Sequence, residues 1–459
     1  MTFIALIPPI YANIKQYGGD PSASSATNDA AVAAAISALG ANGGFLFFGP
    51  GTWTGSPLIL PNRVGARGAG MHATTYKLKN GANDHVIKNY VSPDGVIANA
   101  EFCGVFDLTI DGNKANQSGT SHGIFLSTFP LLSAATNDDD FDTHHVIANV
   151  FIKNALSDGF AASGRSATQL HNVQAYGCSG HGFSPSFDTE LVGCVSGTSG
   201  VEGFYLANSS VRLTNCKAFY AGQVTPSLGY GYHLVSANGI SLSSCEAQDN
   251  QASGYVLDTG SQFTLSSCVA DSNGTSSAGS YPGLDLFSCT DSLVEGFVAY
   301  ERKANGSTSY QTQALRMRSG SIRNRISLTH SATNGATIAS PIMSGSNSLA
   351  GNDVRINSQA AFQTIAYAAS ITPDPFVGNV VEVTLTGALT INAPGNGPYV
   401  PGQTLTFILI QDGTGGRTMT FNAAYKTNWT PSTTAGKTNT IRFVYDGTSW
   451  WQQSAVTGV

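Results

Sequence analysis

The chain has 459 residues, and only 11% of them are charged, with 22 Lys and Arg against 28 Asp and Glu. An ordinary soluble protein carries about 25% charged residues. The net charge of −6 excludes a general nucleic-acid-binding protein, because no surplus of basic side chains exists to neutralise phosphates. Coiled coils and helical bundles are excluded because they need Lys, Glu and Arg in bulk. A hydrophobic content of 41% excludes a disordered chain, and no apolar run reaches the roughly 18 residues of a membrane span.

The amino-terminal segment contains one convincing helical pattern. Residues 28–40 read NDAAVAAAISALG, in which Asn28 or Asp29 can cap the start and Gly40 can end the helix. A strand and a turn follow in GGFLFFGPGTW at residues 43–53. The first residues, MTFIALIPPIYANIKQ, lack a cationic stretch before the apolar one, so we expect no secretory signal peptide.

A short cysteine motif recurs through the middle of the chain. It reads LVGCVS, LTNCKA, LSSCEA and LSSCVA in four units, and other apolar residues take the cysteine position in neighbouring units. From Val150 to Phe297 the steps between these positions are 23, 21, 22, 29, 23 and 29 residues. A nearly fixed period in this range is typical of a solenoid. The units alternate polar and apolar residues between Gly, Ser and Asn turns, which indicates strands.

These features predict an all-β protein whose central part, residues 65–357, is a parallel β-helix of about ten coils. In this fold like residues stack on like residues about 4.8 Å apart. The helix at residues 28–40 would cover the open end of the coils, which otherwise exposes unpaired strand edges. Parallel in-register side chains do not point at one another, so we expect an interior ladder of buried free thiols rather than disulfides. Its members are Cys194, Cys216, Cys245 and Cys268.

The character of the sequence changes after residue 357. Residues 358–378 predict a linker, and residues 379–459 contain alternating segments such as VVEVTLTGALTI, QTLTFILIQ and NTIRFVYDGTSWWQQ. Pro, Gly and Asn turns join these segments, which predicts a β-sandwich or jelly-roll domain. With residues 1–64 as an amino-terminal segment and capping helix, the chain divides into four parts.

A second motif marks the column of residues best suited to chemistry. Gly followed by a large apolar residue recurs once per unit, and the preceding residues in three consecutive units are Asp158, His181 and Glu202. Stacking would place the backbones of Asp158 and Glu202, two coils apart, at about 9.6 Å. Carboxyl groups about 6.5–9.5 Å apart suit inverting glycoside hydrolysis. The charge of His181 between them would shift their pKa values.

The alternative is that this column is a polar turn position with no catalytic role. In the later units the same position is occupied by residues with no carboxylate or imidazole group, which favours this alternative. They are Tyr230, Ser253 and Pro282. Trp450 and Trp451 are candidate platforms for sugar rings, although adjacent strand positions face opposite sides, so at most one serves a given surface.

We expect no metal ion and no cofactor. The chain has no CxxC pair, which argues against zinc. The insertion NDDDFDTHH is dense enough in acids to bind an ion, but a solvated loop is the favoured interpretation. It contains Asp138, Asp139, Asp140, Asp142, His144 and His145.

Several segments resemble known families. IKQYGGDPSASSATNDAAVAAAISALGANGGFLFFGPGTWT resembles the amino-terminal portion of the pectate-lyase-like superfamily of right-handed β-helix proteins, and VFDLTIDGNKANQSG resembles an early coil of that superfamily. SDGF at residues 157–160 and GHG at residues 180–182 resemble fragments of the polygalacturonase signature, but the D-D pair and the R-I-K motif are missing. The closing YDGTSWWQQSAVTGV resembles the carboxy-terminal ends of phage tail-fibre and minor tail proteins.

The resemblance implies a bacteriophage tailspike or minor tail protein located in the virion. Proteins of this type are usually homotrimers that contact other phage tail proteins and bind host cell-surface polysaccharide, with no nucleic acid bound and no membrane insertion. The alternative is a polysaccharide depolymerase, an inverting glycoside hydrolase or a lyase, on the same face of the β-helix. A third hypothesis is a secreted cellular lyase, and the expected lack of a signal peptide argues against it.

Overall fold

A computed structural model describes most of the chain. Within the described residues one α-helix spans Ser25–Leu39. The short 3₁₀ helices are Ile14–Tyr17, Gly40–Asn42, Lys114–Asn116 and Pro226–Leu228. The described residues are 11–89, 102–127, 144–164, 167–302, 310–311, 313–332, 342–344, 352–356, 362–375, 378–395, 399 and 401–459.

The chain winds as a parallel β-helix from Tyr11 to Ile356, with two sheets along its length. The nineteen strands of the first sheet are Tyr11–Asn13, Gly44–Phe48, Gly51–Gly55, Val64–Gly68, Thr74–Leu78, Gly104–Asp111, Val146–Lys153, Gln169–Tyr176, Glu190–Val192, Val195–Gly197, Arg212–Thr214, Lys217–Phe219, Ser241–Ser243, Glu246–Gln248, Thr264–Ser266, Val269–Asp271, Leu293–Glu301, Arg325–Ala332 and Asp353–Ile356. The eleven strands of the second sheet are Leu58–Ile59, Ile87–Lys88, Ile124–Ser127, Phe160–Ser163, Phe183–Ser184, Phe204–Leu206, Tyr232–Val235, Tyr255–Ser261, Leu284–Thr290, Leu315–Met317 and Ile342–Ser344.

Successive coils pair in parallel register in both sheets. The second sheet contributes one strand per coil, so the predicted all-β solenoid of about ten coils is confirmed. Strands before residue 65 already pair within the first sheet, because Gly44–Phe48 lies beside Val64–Gly68. The coils therefore begin nearer the amino terminus than the predicted start at residue 65.

The interior of the β-helix is built from stacked like residues. The rings of Phe183, Phe204, Tyr232 and Tyr255 lie nearly parallel, with successive centroids 4.8 Å apart. The four cysteines of the repeat are buried and carry free thiols, as predicted. Each thiol contacts a carbonyl oxygen of the preceding coil, for example Cys216 Sγ at 3.5 Å from the oxygen of Leu191.

Each coil bends at the residue before the cysteine position. That residue adopts left-handed φ values between 52° and 63°, which Asn and Gly tolerate best among ordinary residues. The backbone at these corners explains part of the high Gly and Asn content. The corner residues on successive coils are Asn149, Asn172, Gly193, Asn215, Ser244, Ser267 and Gly296.

The α-helix begins at Ser25 rather than at the predicted residue 28. The hydroxyl of Ser24 accepts a backbone N–H of the first turn and caps the helix. Asn28 and Asp29, the predicted caps, instead attach the helix to the neighbouring strands. The Asp29 carboxylate accepts hydrogen bonds from the backbone N–H and the hydroxyl of Ser56 at 2.7 and 2.6 Å. The face packed on the first coils consists of Ala31, Ala35 and Leu39.

The carboxy-terminal region forms two sheets around a separate apolar core. The six-stranded sheet contains Phe362–Thr364, Val380–Leu385, Thr404–Gln411, Tyr425–Lys426, Thr438–Tyr445 and Trp450–Val456. The three-stranded sheet contains Ser370–Ile371, Leu389–Ile391 and Met419–Phe421.

Two sheets over one core agree with the predicted β-sandwich, but most of the strand pairs differ from a jelly roll. The chain alternates between the two sheets, and the first three strands of each pair in parallel. Antiparallel pairs join Thr438–Tyr445 to Thr404–Gln411 and to Trp450–Val456. A jelly roll is antiparallel throughout. Apolar and polar residues alternate with the same period in parallel and antiparallel strands. The sequence pattern therefore could not distinguish the two kinds of pairing.

The recurring glycine lies where neighbouring coils approach most closely. A Cβ atom on Gly203 would lie 2.6 Å from the carbonyl oxygen of Gly231 and 2.7 Å from the Cβ of Ala218. We expect Gly203→Ala to lower the free energy of unfolding by roughly 1–3 kcal/mol, the usual cost of overpacking. Urea unfolding followed by circular dichroism measures it. Gly49→Ala is the control, since its Cβ would meet nothing within 4 Å. Equal losses in both variants would contradict the close-approach explanation.

Candidate functional site

A column of ionisable residues follows the outer edge of the second sheet. Asp158, His181 and Glu202 lie on consecutive coils, because Gly159 N–H donates to the carbonyl of His181 at 3.0 Å and Gly182 N–H to that of Glu202 at 3.1 Å. The same column continues toward the amino terminus through His122 and His85. Chain winding thus brings residues more than 100 positions apart in sequence onto one narrow surface.

Side chains in the amino-terminal half of this column accept backbone N–H groups of the next coil. His85 Nδ1 accepts from His122 N–H at 3.1 Å, and His122 Nδ1 accepts from Asp158 N–H at 3.1 Å. An accepting Nδ1 carries no proton, so both rings are neutral and protonated at Nε2. Burial lowers the pKa of His85 to about 4 and that of His122 to about 3. The 3.4 Å between His122 and the Asp158 carboxylate is therefore not an ion pair at neutral pH.

Glu202 organises the carboxy-terminal half of the column. Its side chain is 4% exposed and lies between two imidazoles, 2.8 Å from His181 Nδ1 and 3.1 Å from His233 Nδ1. The Asp258 carboxylate lies 3.8 Å from the other nitrogen of His233. The ring of Tyr205 stacks on His181 with centroids 4.7 Å apart. Glu202 thus fixes the orientation of two imidazole rings.

The environment pushes the pKa values of the two carboxyl groups apart. Burial raises the pKa of Asp158, and the charge of Glu202 adds to the increase. Burial also acts to raise the pKa of Glu202, but contacts with His181 and His233 outweigh it and lower this pKa to about 2. Burial acts to lower the pKa of His181, yet the two carboxylates give it a net increase. Such separated pKa values are a feature of acid–base sites.

This geometry favours proton transfer by an imidazole over a mechanism with two reacting carboxylates. The Glu202 carboxylate is buried and both of its oxygens lie beside imidazole nitrogens, so it is poorly exposed to the water molecule that inverting hydrolysis must activate. His181 is more exposed than Glu202, and its Nδ1 is held by the carboxylate, so Nε2 is the atom available to a ligand. Glu202 is then a positioning residue. The catalytic assignment of Asp158, His181 and Glu202 stays a prediction.

The sequence reading missed Tyr205, His233 and Asp258. Tyr205 and His233 stand two residues after the recurring glycine, where strand alternation turns the side chain outward. The spacing from the recurring glycine therefore could have identified both residues as outward-facing. The contact of His233 with Glu202 and the stacking of Tyr205 on His181 were not predictable, because each joins two different columns.

The two tryptophans face opposite sides of their strand. Trp450 is buried in the core against Tyr399 and Tyr445, which removes it from the candidate sugar platforms. Trp451 is 50% exposed, and its Nε1 donates to the Asp446 carboxylate at 2.6 Å. Only Trp451 remains available to a ligand on the surface.

The acidic insertion is largely outside the described residues, which include its two histidines but not its four aspartates. In the part of the chain that the structure describes, no group of three or more His, Cys, Asp or Glu side chains is arranged to hold a metal ion. No helix within the described ranges is long and apolar enough to cross a membrane. The undescribed aspartates are Asp138, Asp139, Asp140 and Asp142.

Comparison with known families gives a match in the carboxy-terminal domain. Residues 371–450 match a family model described as "Putative phage tail fibre C-terminal domain". This match supports a phage tail component.

Solved structures resemble the chain in fold. Full-length tailspike protein 2 from Escherichia coli O157:H7 bacteriophage CAB120 gives a TM-score of 0.59 at 13% identity, covering 98% of this chain and 63% of that one. The A-module of Azotobacter vinelandii mannuronan C-5 epimerase AlgE4 gives 0.55 at 20% identity, covering 76% of this chain and 100% of that one. The predicted right-handed parallel β-helix is confirmed.

Curated relatives match part of the chain. Alginate lyase 7 of Azotobacter vinelandii is 27% identical over 198 residues, which are 38% of this chain and 23% of the relative. Mannuronan C5-epimerase AlgE3 of the same organism is 29% identical over 198 residues, which are 38% of this chain and 11% of the relative. The chain thus spans less than a quarter of the length of these two relatives.

The neutral histidines make folding stability sensitive to acid. Because the pKa values of His85 and His122 lie below the usual 6.5, the unfolded chain binds more protons between pH 6.5 and about 4. We expect the free energy of unfolding to decrease as the pH falls through this range. His122→Asn should reduce the slope, because an amide oxygen can accept the same N–H without titrating. Urea unfolding at several pH values measures it.

His72→Asn is the control for this substitution, since His72 is exposed and outside the column. Equal slopes for the wild type and His122→Asn would refute a buried neutral ring at this position.

Proposed function

We propose that the protein is a bacteriophage tail protein that binds a polysaccharide of the host cell surface along the outer face of its β-helix. The observation that carries this proposal is the tail fibre domain match at residues 371–450 in the same chain as the β-helix. Tyr205, Tyr230 and His233 form an aromatic group beside Glu202. Aromatic faces with nearby hydrogen-bonding groups suit sugar rings, which have both apolar and hydroxyl surfaces.

A homotrimer is part of this proposal. The resemblance of the closing segment to phage tail proteins supports it. Trp451, Val456 and Val459 are exposed apolar residues near the carboxy terminus, and an interface between copies of the chain would bury those that it covers.

The proposal predicts that purified protein binds host envelope polysaccharide through Tyr205. We expect Tyr205→Ala to weaken binding by roughly tenfold, because it removes a ring face that packs on a sugar. Biolayer interferometry on immobilised envelope polysaccharide measures the affinity. Tyr220→Ala is the matched control, since Tyr220 is exposed at a coil corner away from the column.

Light scattering on the same sample tests the trimer, which should have three times the 47.6 kDa mass of the chain. A monomer would refute the trimer but not glycan binding. A wild-type protein that no host polysaccharide retains would refute the binding function.

Cleavage of the bound polysaccharide is a second candidate function, favoured by the His181–Glu202 contact. In a lyase reaction a base removes the proton beside a sugar carboxylate, the glycosidic C–O bond breaks, and a C=C bond forms while the leaving oxygen gains a proton. In this proposal His181 Nε2 acts as such a base, and the contact of its Nδ1 with Glu202 supports this role. The names of the relatives, alginate lyase and mannuronan C5-epimerase, favour this chemistry over hydrolysis.

If the chain is a lyase, host polysaccharide will gain ultraviolet absorbance from unsaturated uronate. We expect His181→Gln to reduce the rate at least about 100-fold, the usual contribution of a general base. The activity should increase as the pH rises through the raised pKa of His181, because only the neutral ring accepts a proton. Glu202→Gln should move this profile to lower pH, since the carboxylate raises that pKa.

His171→Gln is the control for the cleavage assay, because His171 lies on the first sheet. If new reducing ends appear without ultraviolet absorbance, the reaction is hydrolysis rather than lyase cleavage. Full activity of His181→Gln would exclude His181 as the base.

A further inference from the structure

A second charged cluster lies on the second sheet, beyond the imidazoles. Asp285 is buried and receives two guanidinium groups. Arg318 donates through Nε and Nη2 to its two oxygens at 3.0 Å each, and Arg316 also donates to it. The Arg318 guanidinium lies 4.7 Å from the ring centroid of Phe287. The cluster is therefore held by hydrogen bonds and by ring contact.

This cluster carries a positive charge that its own carboxylate does not neutralise. One carboxylate balances one guanidinium, so Asp285 with Arg316 and Arg318 has a net charge of about +1. The Arg318 side chain is 36% exposed, so solvent or a ligand reaches the surplus charge. A guanidinium has five N–H donors in a planar fork, and this shape fits a carboxylate.

Two other arginine sites on the β-helix differ in charge balance. Arg302 lies between the buried carboxylates of Asp249 and Asp271, which leaves a negative surplus. Arg323 pairs one to one with Asp291, and both side chains are exposed. These sites need no anion from outside, whereas the Asp285 cluster can accept one.

Strand register places the cluster in line with the candidate site. His233 pairs with Val256, Val256 with Asp285, and Asp285 with Arg316, which is three coils or about 14 Å. Tyr230 lies beside His233, with ring centroids 5.1 Å apart. Burial raises the pKa of Tyr230, and the charges of Asp285 and Glu202 add to the increase. A linear polymer lying along the coils would contact both regions at once.

We infer that Asp285, Arg316 and Arg318 form a subsite for one anionic group of the bound glycan, such as a uronate carboxylate. The inference rests on the proposed glycan-binding function and names its ligand class, a heteropolysaccharide with isolated acidic sugars. A polymer with an acid on every sugar fits less well, because the surface between His233 and Asp285 presents the carboxylate of Asp258. Like charges placed side by side cost binding energy.

The test couples a change in the protein to a change in the ligand. Arg318→Gln leaves a neutral Asp285–Arg316 pair and removes the surplus charge. An array of bacterial surface polysaccharides identifies a ligand of the wild-type chain, with alginate as the polyuronate and dextran as the neutral polymer. Chemical reduction then converts the carboxyl groups of that ligand to alcohols. Affinities are measured for wild type and Arg318→Gln with both forms of the ligand.

We expect the best ligands to contain isolated acidic sugars. Arg318→Gln and carboxyl reduction should each weaken binding by roughly 10-fold to 100-fold, the value of a hydrogen bond to a charged group. The two changes together should cost no more than either alone, because they remove the same contact. Arg323→Gln should bind as the wild type does.

Three results would overturn the inference. The anionic subsite would be refuted if neutral glycans were the best ligands, or if Arg318→Gln bound as tightly as the wild type. Either result would leave the proposed glycan binding intact. If the wild type prefers alginate, the ligand class is a polyuronate rather than a heteropolysaccharide with isolated acidic sugars. Failure of the wild type to bind any glycan would instead refute the proposed function on which the subsite rests. Carboxyl reduction tests the subsite even if Arg318→Gln folds poorly.

Discussion

The structure depends on the in-register stacking of coils at the β-sheet spacing. Because every side chain has its counterpart 4.8 Å above and below, each position must be compatible with itself. Aromatic rings satisfy this condition by stacking, as Phe204 does on Tyr232, and thiols satisfy it by facing carbonyl groups of the preceding coil. A column of equal charges cannot satisfy it, because like charges repel along its whole length. This is a physical reason for the low charged content of the chain.

The candidate site shows how ionisable residues are accommodated in such a stack. His122 is neutral and accepts a backbone N–H, so it adds no charge beside Asp158. Glu202 has a histidine on each side, and Asp285 binds two arginines of the following coil. Alternation of sign along the coil axis turns repulsion into attraction. The same alternation separates the pKa values of neighbouring groups, which is the property that acid–base chemistry needs.

Sequence reasoning succeeded where a signal recurs in every coil and failed where a contact is unique. The cysteine motif gave the register of the first sheet, and the Gly–apolar motif placed Asp158, His181 and Glu202 on successive coils. The predicted helix cap was wrong. Asn28 and Asp29 have side chains that can cap a helix, but here they form hydrogen bonds with Thr54 and Ser56. A sequence shows which residues share a column, but it does not show which columns are adjacent. The contact between Glu202 and His233 therefore could not be predicted from the sequence.

The geometry of the coils also limits what the outer surface can recognise. Identities of 13% and 20% to two solved structures show that the fold persists while most residues differ. Such a surface is a line of positions at a fixed spacing, so it suits a linear ligand whose groups repeat along its length. His233 and Arg316 are distant in sequence but lie along one such line. The number of coils between them sets the distance between the two groups that a ligand must present. A change in that number, rather than in any side chain, would alter the repeat length of the polymer that fits.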